Sequence, residues 1–334
     1  MGQGAYILGC ECPRLTPQEK VFFRRADPLG FILFARNIEN PDQLRALTGE
    51  LRDAVGRDAP ILVDQEGGRV QRLRAPHWRE WMTPIDHVAK AGPNAARAMW
   101  LRARLIAHEL RAVGIDVNCA PVADIADAQT HLFLANRCYG TTAETVAAMA
   151  RATADGLMAG GVLPVMKHIP GHGGGGVDSH MQLPRVTRSL DALRCQDFAP
   201  FAALSDLPAA MSAHVVYSAI DDRPATTSGA VIRVIRDDIG FDGLLISDDL
   251  SMQALSGTIA TRTRDTLAAG CDVALHCNGA MDEMRDVANA ARGLDAAATR
   301  RVDAALRVRQ DIDPIDIVAS EVELRALISE GVYV

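Results

Sequence analysis

Aromatic side chains are scarce in this chain: Phe, Trp and Tyr together make up 4% of 334 residues. Any core must therefore be packed from Ala, Val, Leu and Ile. No stretch approaches the ~18 uninterrupted apolar residues that a membrane-spanning helix needs. Basic residues are also in the minority, 35 against 42 acidic ones for a net charge of −7. That balance argues against a nucleic-acid groove or an anionic membrane surface as partner. The seven cysteines contain no C-x-x-C pair, and their number is odd. Most lie in apolar stretches, such as Cys119 before Ala-Pro-Val and Cys271 and Cys277 around Val-Ala-Leu. This is the pattern of buried thiols in a reducing compartment, so a cytoplasmic location is expected. Ile7-Leu8-Gly9-Cys10 imitates a lipoprotein cleavage box, but only nine residues precede Cys10 and none is Lys or Arg. A signal of that kind needs a basic leader and an apolar region of ~7–15 residues; a buried first strand is the expectation.

Apolar residues at 48% and charged residues at 23% match an ordinary globular protein, which excludes a disordered or fibrous chain. Eight short apolar runs punctuate the sequence: Ala5–Gly9, Gly30–Phe34, Pro60–Val63, Asp116–Val122, Val162–Met166, Ala209–Ala213, Gly243–Ile246 and Asp272–Leu275. Each is apolar nearly throughout, as in parallel strands buried on both faces. Helical periodicity fills the intervals over Pro41 to Val55, Asn94 to Val113, Thr142 to Ala159, Ser189 to Ser205 and Thr258 to Ala269. Met281 to Arg309 reads as two helices around Gly293. Eight strands alternating with helices suit a (β/α)₈ barrel, with a doubly wound sheet as the rival. No linker-like stretch divides the chain, so residues 1–334 read as one domain, with 315–334 as a short helical appendage. Nothing in the pattern sets an oligomeric state.

Polar residues interrupt the runs in a telling place. Asp64, Asp124, Lys167-His168, His214, Asp248-Asp249 and His276 follow six of the eight runs on the C-terminal side. Any one of them could be a helix cap or a loop residue. In a barrel, six such ends converge on the mouth where these folds keep their chemistry, which points to an enzyme.

The richest segment runs from Lys167 to His180, with three histidines, a lysine and an aspartate around Gly173–Gly176. A metal site built from His168, His172 and His180 is one possibility, although Pro170-Gly171 forbids the helix that would align the first two. A phosphate cradle is another, but no Gly-Lys-Ser/Thr follows the glycines. The third is a catalytic loop in which the glycines supply backbone freedom and Asp178 orients His180.

Lys-His-x-Pro-Gly-His-Gly with Asp-Ser-His, together with Val-Asp-Gln-Glu-Gly-Gly-Arg-Val-Gln-Arg before it and Ile-Ser-Asp-Asp-Leu-Ser-Met after it, resembles glycoside hydrolase family 3. The match is to its bacterial β-N-acetylglucosaminidase branch and runs from Gly30 to His276. The resemblance implies a single-domain (β/α)₈ barrel of TIM type rather than a doubly wound sheet. It implies Asp248 as nucleophile, His180 as general acid/base and Asp178 as its orienting partner. Asp64, Arg72, Arg137, Lys167 and His168 would bind the sugar. Asn136-Arg137-Cys138-Tyr139-Gly140 departs from the Asp-Arg-Ser-Phe-Gly-like stretch of the family.

These residues suit a retaining glycosidase, which needs a carboxylate below the sugar and a proton donor at the leaving oxygen. A histidine, with an unperturbed pKa near ~6.5, can give and take that proton at neutral pH. The expected activity is release of terminal N-acetylglucosamine from muropeptide fragments, with a small saccharide as partner and no metal or organic cofactor. A phosphorylase or transglycosylase could use the same intermediate. A silent sugar-binding protein would have no need of both Asp248 and the Asp178–His180 pair.

Overall fold

The computed structural model of the chain describes residues 3–128, 130–174, 183–310 and 312–330. Nine strands form one parallel sheet: Gly4–Leu8, Pro28–Leu33, Ile61–Val63, Val117–Asn118, Leu163–Pro164, Met166–Ile169, Ala209–Ser212, Leu244–Asp249 and Val273–His276. Every apolar run of the sequence contains a strand, but the fifth is divided. Leu163–Pro164 pairs with Val117–Asn118, whereas Met166–Ile169 pairs with Ala209–Ser212. Those two pieces are the edges of the sheet order. The chain itself thus joins one edge to the other through Val165, and a parallel bridge between Val122 and Lys167 tightens the seam. The fold is a closed (β/α)₈ barrel.

Alternation along the strands assigns side chains to the two faces. Leu62, Leu163, Val165, Ala209, Met211, Leu244, Ile246, Val273 and Leu275 form a cluster inside the barrel. Their neighbours Ile61, Val63, Met166, Ala210, Leu245 and Ala274 pack outward into the larger core beneath the helices. The inner cluster holds no fully buried aromatic ring, consistent with the aliphatic packing that the composition demands. Val302 and Ala305 join it from the helix Ala296–Leu306. Arg301 of that helix pairs with Asp272 and Asp242, which precede two strands. The helix therefore seals the end of the barrel opposite the strand C-termini.

Local signals fix the surrounding helices. Pro41–Val55 is capped by Asn40, whose side chain accepts from Gln43 N, and ends at Gly56 with φ +68°. Its buried stripe is Leu44, Leu47 and Leu51, each worth roughly 2 kcal/mol of burial. The single helix expected over Ser189 to Ser205 is instead two short ones, Leu190–Cys195 and Ala199–Ala203. Pro200 explains the break, since it has no N–H to return to the preceding turn and fits the first turn of a new helix. The last helix, Ile317–Glu330, packs on Pro84–Ala91 and Ala95–Ala112. Among the described residues no helix is long and apolar enough to cross a membrane.

Candidate active site

A cavity of about 190 Å³ opens at the C-terminal end of the barrel. Ile32, Met211, Leu275 and Cys277 belong both to its lining and to the inner cluster, so the barrel core is its floor. Asp64, Arg72, Arg137, Lys167, His168 and Asp248 supply its polar wall, with Phe34 and Met252 as apolar flanks. Hydrogen-bonding groups facing an apolar surface match the hydroxyls and C–H faces of a sugar ring.

The polar wall is built on one turn. After the strand Ile61–Val63 the chain doubles back as a tight hairpin, Gln65–Gly67 against Val70–Gln71. Gln65 Oε1 accepts from the N–H groups of Arg72 and Leu73. The buried Arg102 guanidinium donates to Glu66 O at 2.6 Å and Met82 O at 2.9 Å. Gly67 has φ +105°, and a Cβ there would stand 1.8 Å from Arg102 Nη2. Only glycine satisfies both demands. The motif Asp-Gln-Glu-Gly-Gly-Arg thus folds so that Asp64, Glu66 and Arg72 face one another.

Their charges interlock. Lys167 Nζ lies 2.7 Å from Asp64 Oδ1 and 2.6 Å from Glu66 Oε1. Arg72 Nη2 holds the other Asp64 oxygen at 3.0 Å. Arg137 grips Glu66 through Nε at 2.9 Å and Nη2 at 2.8 Å. Burial alone would raise the Asp64 and Glu66 pKa values, but the adjacent Lys167 and Arg137 hold both below the usual carboxylate range, with Arg72 adding to the effect at Asp64. Lys167 is buried too; Asp64 and Glu66 outweigh that burial and keep it charged. Such groups persist in an interior only when paired this completely.

Asp124 does not reach the cavity lining. Fully buried, it stands 2.7 Å through Oδ2 from His168 Nδ1 and accepts the His172 backbone N–H at 2.6 Å through Oδ1. Hydrogen-bonding the second ring nitrogen in this way fixes the orientation of His168 at the cavity. His214 is also buried behind the wall, its ring nitrogens 2.8 Å from Thr226 Oγ1 and 2.9 Å from Asp249 O. Buried His276 stands 3.3 Å from Glu283. The six polar strand ends therefore do not all open on one space: Asp64, Lys167-His168 and Asp248-Asp249 line the cavity, while Asp124, His214 and His276 do not.

Asp248 is the fifth residue of Leu244–Asp249, so Lys167-His168, Asp248-Asp249 and His276 sit inside their strands rather than after them. Its Oδ1 accepts the N–H of Asp249 at 2.8 Å. The neighbouring Asp249 carboxylate holds the following turn, accepting from Ser251 N, Ser251 Oγ and Cys277 N. Asp178 and His180 lie outside the described residues. Of the glycine run, Gly173 is packed rather than free: a Cβ there would stand 1.8 Å from Ile125 O. Glu66, the hub of the ion cluster, is the functional residue that spacing alone passed over. Its signal was its place inside the Asp64–Arg72 motif.

A carboxylate on a strand end of a (β/α)₈ barrel, in a cavity rich in hydrogen-bonding side chains, is the arrangement of a glycoside hydrolase. The glycosyl hydrolase family 3 N-terminal domain matches residues 26–310. A β-hexosaminidase of Methylococcus capsulatus is 42% identical over 272 residues, 80% of each chain. One from Pseudomonas aeruginosa is 40% identical over 280 residues, 83% of each chain. NagZ from Neisseria gonorrhoeae, solved in complex with N-trifluoroacetyl-D-glucosamine, superposes with a TM-score of 0.86 at 33% identity, covering 98% of this chain and 99% of that one. This chain belongs to glycosyl hydrolase family 3.

Proposed function

We propose that this protein is a retaining exo-β-N-acetylglucosaminidase that releases terminal non-reducing N-acetylglucosamine from peptidoglycan-derived muropeptides. The coarser activity, that of a β-N-acetylhexosaminidase, is common to the curated relatives it matches at about 40% identity. The observation that carries the finer reading is Asp248, held on a strand end in the lining of a cavity that Asp64, Arg72, Arg137, Lys167 and His168 also line. That wall orients the hydroxyls and so brings the anomeric carbon to the Asp248 carboxylate, where positioning is worth most.

In the first step the Asp248 carboxylate bonds to the anomeric carbon while the glycosidic bond breaks, and His180 gives its proton to the departing oxygen. Asp178 keeps the His180 ring turned for that transfer. In the second step water attacks the glycosyl ester, His180 takes the proton, and Asp248 leaves as a carboxylate. Two inversions give net retention. No step calls on a metal or an organic cofactor. A cytoplasmic location is part of the proposal; all seven cysteines are free thiols, as suits a reducing compartment.

The test compares nitrophenyl β-N-acetylglucosaminide with nitrophenyl β-glucoside, each with and without phosphate. Preference for the first, with free sugar as product in both buffers, is the expected result. Phosphate-dependent formation of a sugar 1-phosphate would make the protein a phosphorylase instead.

A further inference from the structure

Arg72 lines the sugar cavity, yet it begins a segment with no regular structure to hold it. Residues 72–83 form neither helix nor strand before the helix Pro84–Ala91. What holds them is a pair of buried carboxamides. Gln65 donates through Nε2 to Leu73 O at 2.9 Å, and its Oε1 accepts from the N–H groups of Arg72 and Leu73 at 2.9 and 3.0 Å. Gln71 donates through Nε2 to the same Leu73 O at 2.8 Å and to Arg79 O at 2.7 Å. Its Oε1 accepts the N–H of Trp81 at 3.1 Å.

A carboxamide offers two N–H donors and one acceptor oxygen. Gln71 commits both donors and the oxygen to the backbone of Leu73, Arg79 and Trp81, so the loop closes around its side chain. A buried polar network satisfied throughout is rigid. The far side of this loop is braced in turn. Glu109 Oε1, on the helix Ala95–Ala112, accepts the backbone N–H of Arg79 at 3.1 Å and its Nη1 at 2.6 Å. Arg79 Nη2 reaches Glu321 on the last helix. The near side is locked to the strand Val117–Asn118, since Asn118 Oδ1 takes the N–H of Gln65 at 3.0 Å and Asn118 Nδ2 donates to its carbonyl at 3.1 Å. The Arg72 backbone is thus fixed from a barrel strand on one side and two outer helices on the other. Its guanidinium then meets Asp64 at 3.0 Å through Nη2 and the Phe34 ring, whose centroid is 5.2 Å from the guanidinium carbon.

We propose that Gln71 is a positioning residue for sugar binding: absent from the cavity lining itself, it sets where Arg72 stands before a ligand arrives. The proposal rests on the sugar site proposed above.

The experiment measures inhibition constants for N-acetylglucosamine and its singly deoxygenated analogues, with hydrolysis of nitrophenyl β-N-acetylglucosaminide as the readout. The native enzyme is compared with Arg72→Met and Gln71→Met. Arg72→Met should weaken the parent sugar and spare the one analogue that lacks the hydroxyl Arg72 holds. Gln71→Met keeps the length of the side chain and removes its hydrogen bonds. It should reproduce that pattern, with binding of the parent sugar about tenfold weaker and the same analogue little changed. A loss spread evenly over all the sugars, or no loss, would overturn the positioning role and leave Gln71 a brace for the fold alone. Should Gln71→Met fail to fold, Arg79→Met, on a partly exposed side chain, decides by the same comparison. The same pattern at about threefold is then expected, and an even loss or none overturns the role. No selective loss in Arg72→Met would instead overturn the sugar wall itself, and the role of Gln71 with it.

Discussion

Glu66 takes Arg137 through both carboxylate oxygens, at 2.9 and 2.8 Å, and Lys167 on one of the same two, at 2.6 Å. Glu66 is absent from the cavity lining, whereas Arg137 and Lys167 both line it. The carboxylate acts through them, setting where two cations stand before a sugar arrives.

Glu66→Gln should therefore raise KM for a nitrophenyl N-acetylglucosaminide and lower kcat/KM by roughly 10- to 100-fold, since a displaced contact at this distance costs about 1.4 kcal/mol per factor of ten. In an Arg137→Ala background the further loss should be much smaller, because the two residues act as one unit. Additive losses in that double-mutant cycle would mean that Glu66 contributes only to the fold. Glu66→Ala, which leaves two buried cations short of a partner, should also destabilise by about 3–5 kcal/mol in urea melts.

Asp248→Ala should abolish turnover, by roughly 10⁴-fold or more, while N-acetylglucosamine still binds, because the proposed hydroxyl contacts come from other side chains of the cavity. A slow fluorinated N-acetylglucosaminide should leave its sugar on Asp248, as read by mass spectrometry of peptides. Label on Asp249 would reverse the assignment, although the turn bonds of its carboxylate to Ser251 and Cys277 argue against that.

His180→Ala should lose far more rate on substrates with poor leaving groups than on dinitrophenyl glycosides, which depart without a proton. Azide should partly restore turnover of the activated substrate by attacking the glycosyl ester without deprotonation. Asp178→Ala should fall between the native enzyme and His180→Ala. Uniform loss across leaving groups would remove His180 from the role of acid. The obvious substitutes, Asp124 and Glu66, are already committed, the first to His168 and the second to Arg137 and Lys167.

Exhaustive chelation should leave full activity. Loss on chelation that zinc restores would return His168, His172 and His180 to consideration as ligands.

The barrel was legible because parallel strands covered on both faces must be apolar throughout, and Ile61–Val63 or Val273–Ala274-Leu275 can be little else. The division of the fifth run was not legible, since a run of apolar residues carries no mark of which neighbour each half pairs with; Pro164 merely withholds one N–H. The helix Pro17–Ala26 was passed over although Thr16 and Glu19 form a capping box and Pro17 takes the first helical position, which together spell its start. Asp124 and His214 lie past the ends of their strands and His276 closes its own. Partners on other elements decided that they would be buried: His168 for Asp124, Thr226 and Asp249 for His214, and Glu283 for His276. The same holds for Arg69 and Phe133, whose approach joins the hairpin turn to the helix Leu132–Ala135, 64 residues apart by subtraction of their sequence numbers.

His172 supplies a test by pH. Its ring is buried and neither nitrogen has a hydrogen-bond partner among the described residues. Burial, helped by the neighbouring His168, pushes its pKa down from 6.5 to about 4. The unfolded chain therefore binds a proton at this site between about pH 6.5 and pH 4 that the folded chain refuses, and stability must fall as pH drops through that window. Above pH 6.5 the contribution is level. At pH 4 the accumulated loss from this one group is about 3 kcal/mol. The carboxylates Asp64, Glu66 and Asp124 have the opposite history: they are held below their usual range in the fold, so the stability they contribute is lost only below their unfolded values of 3.8 to 4.5. Urea midpoints between pH 7 and pH 4.5 thus leave those three carboxylates out of the comparison. His87, also buried and lowered to about 3, adds to the native slope but is unchanged in a His172→Gln variant. That variant should show a shallower loss across the window than the native protein, and the two curves should converge as pH falls. Parallel curves would show that His172 is protonated as readily in the fold as outside it.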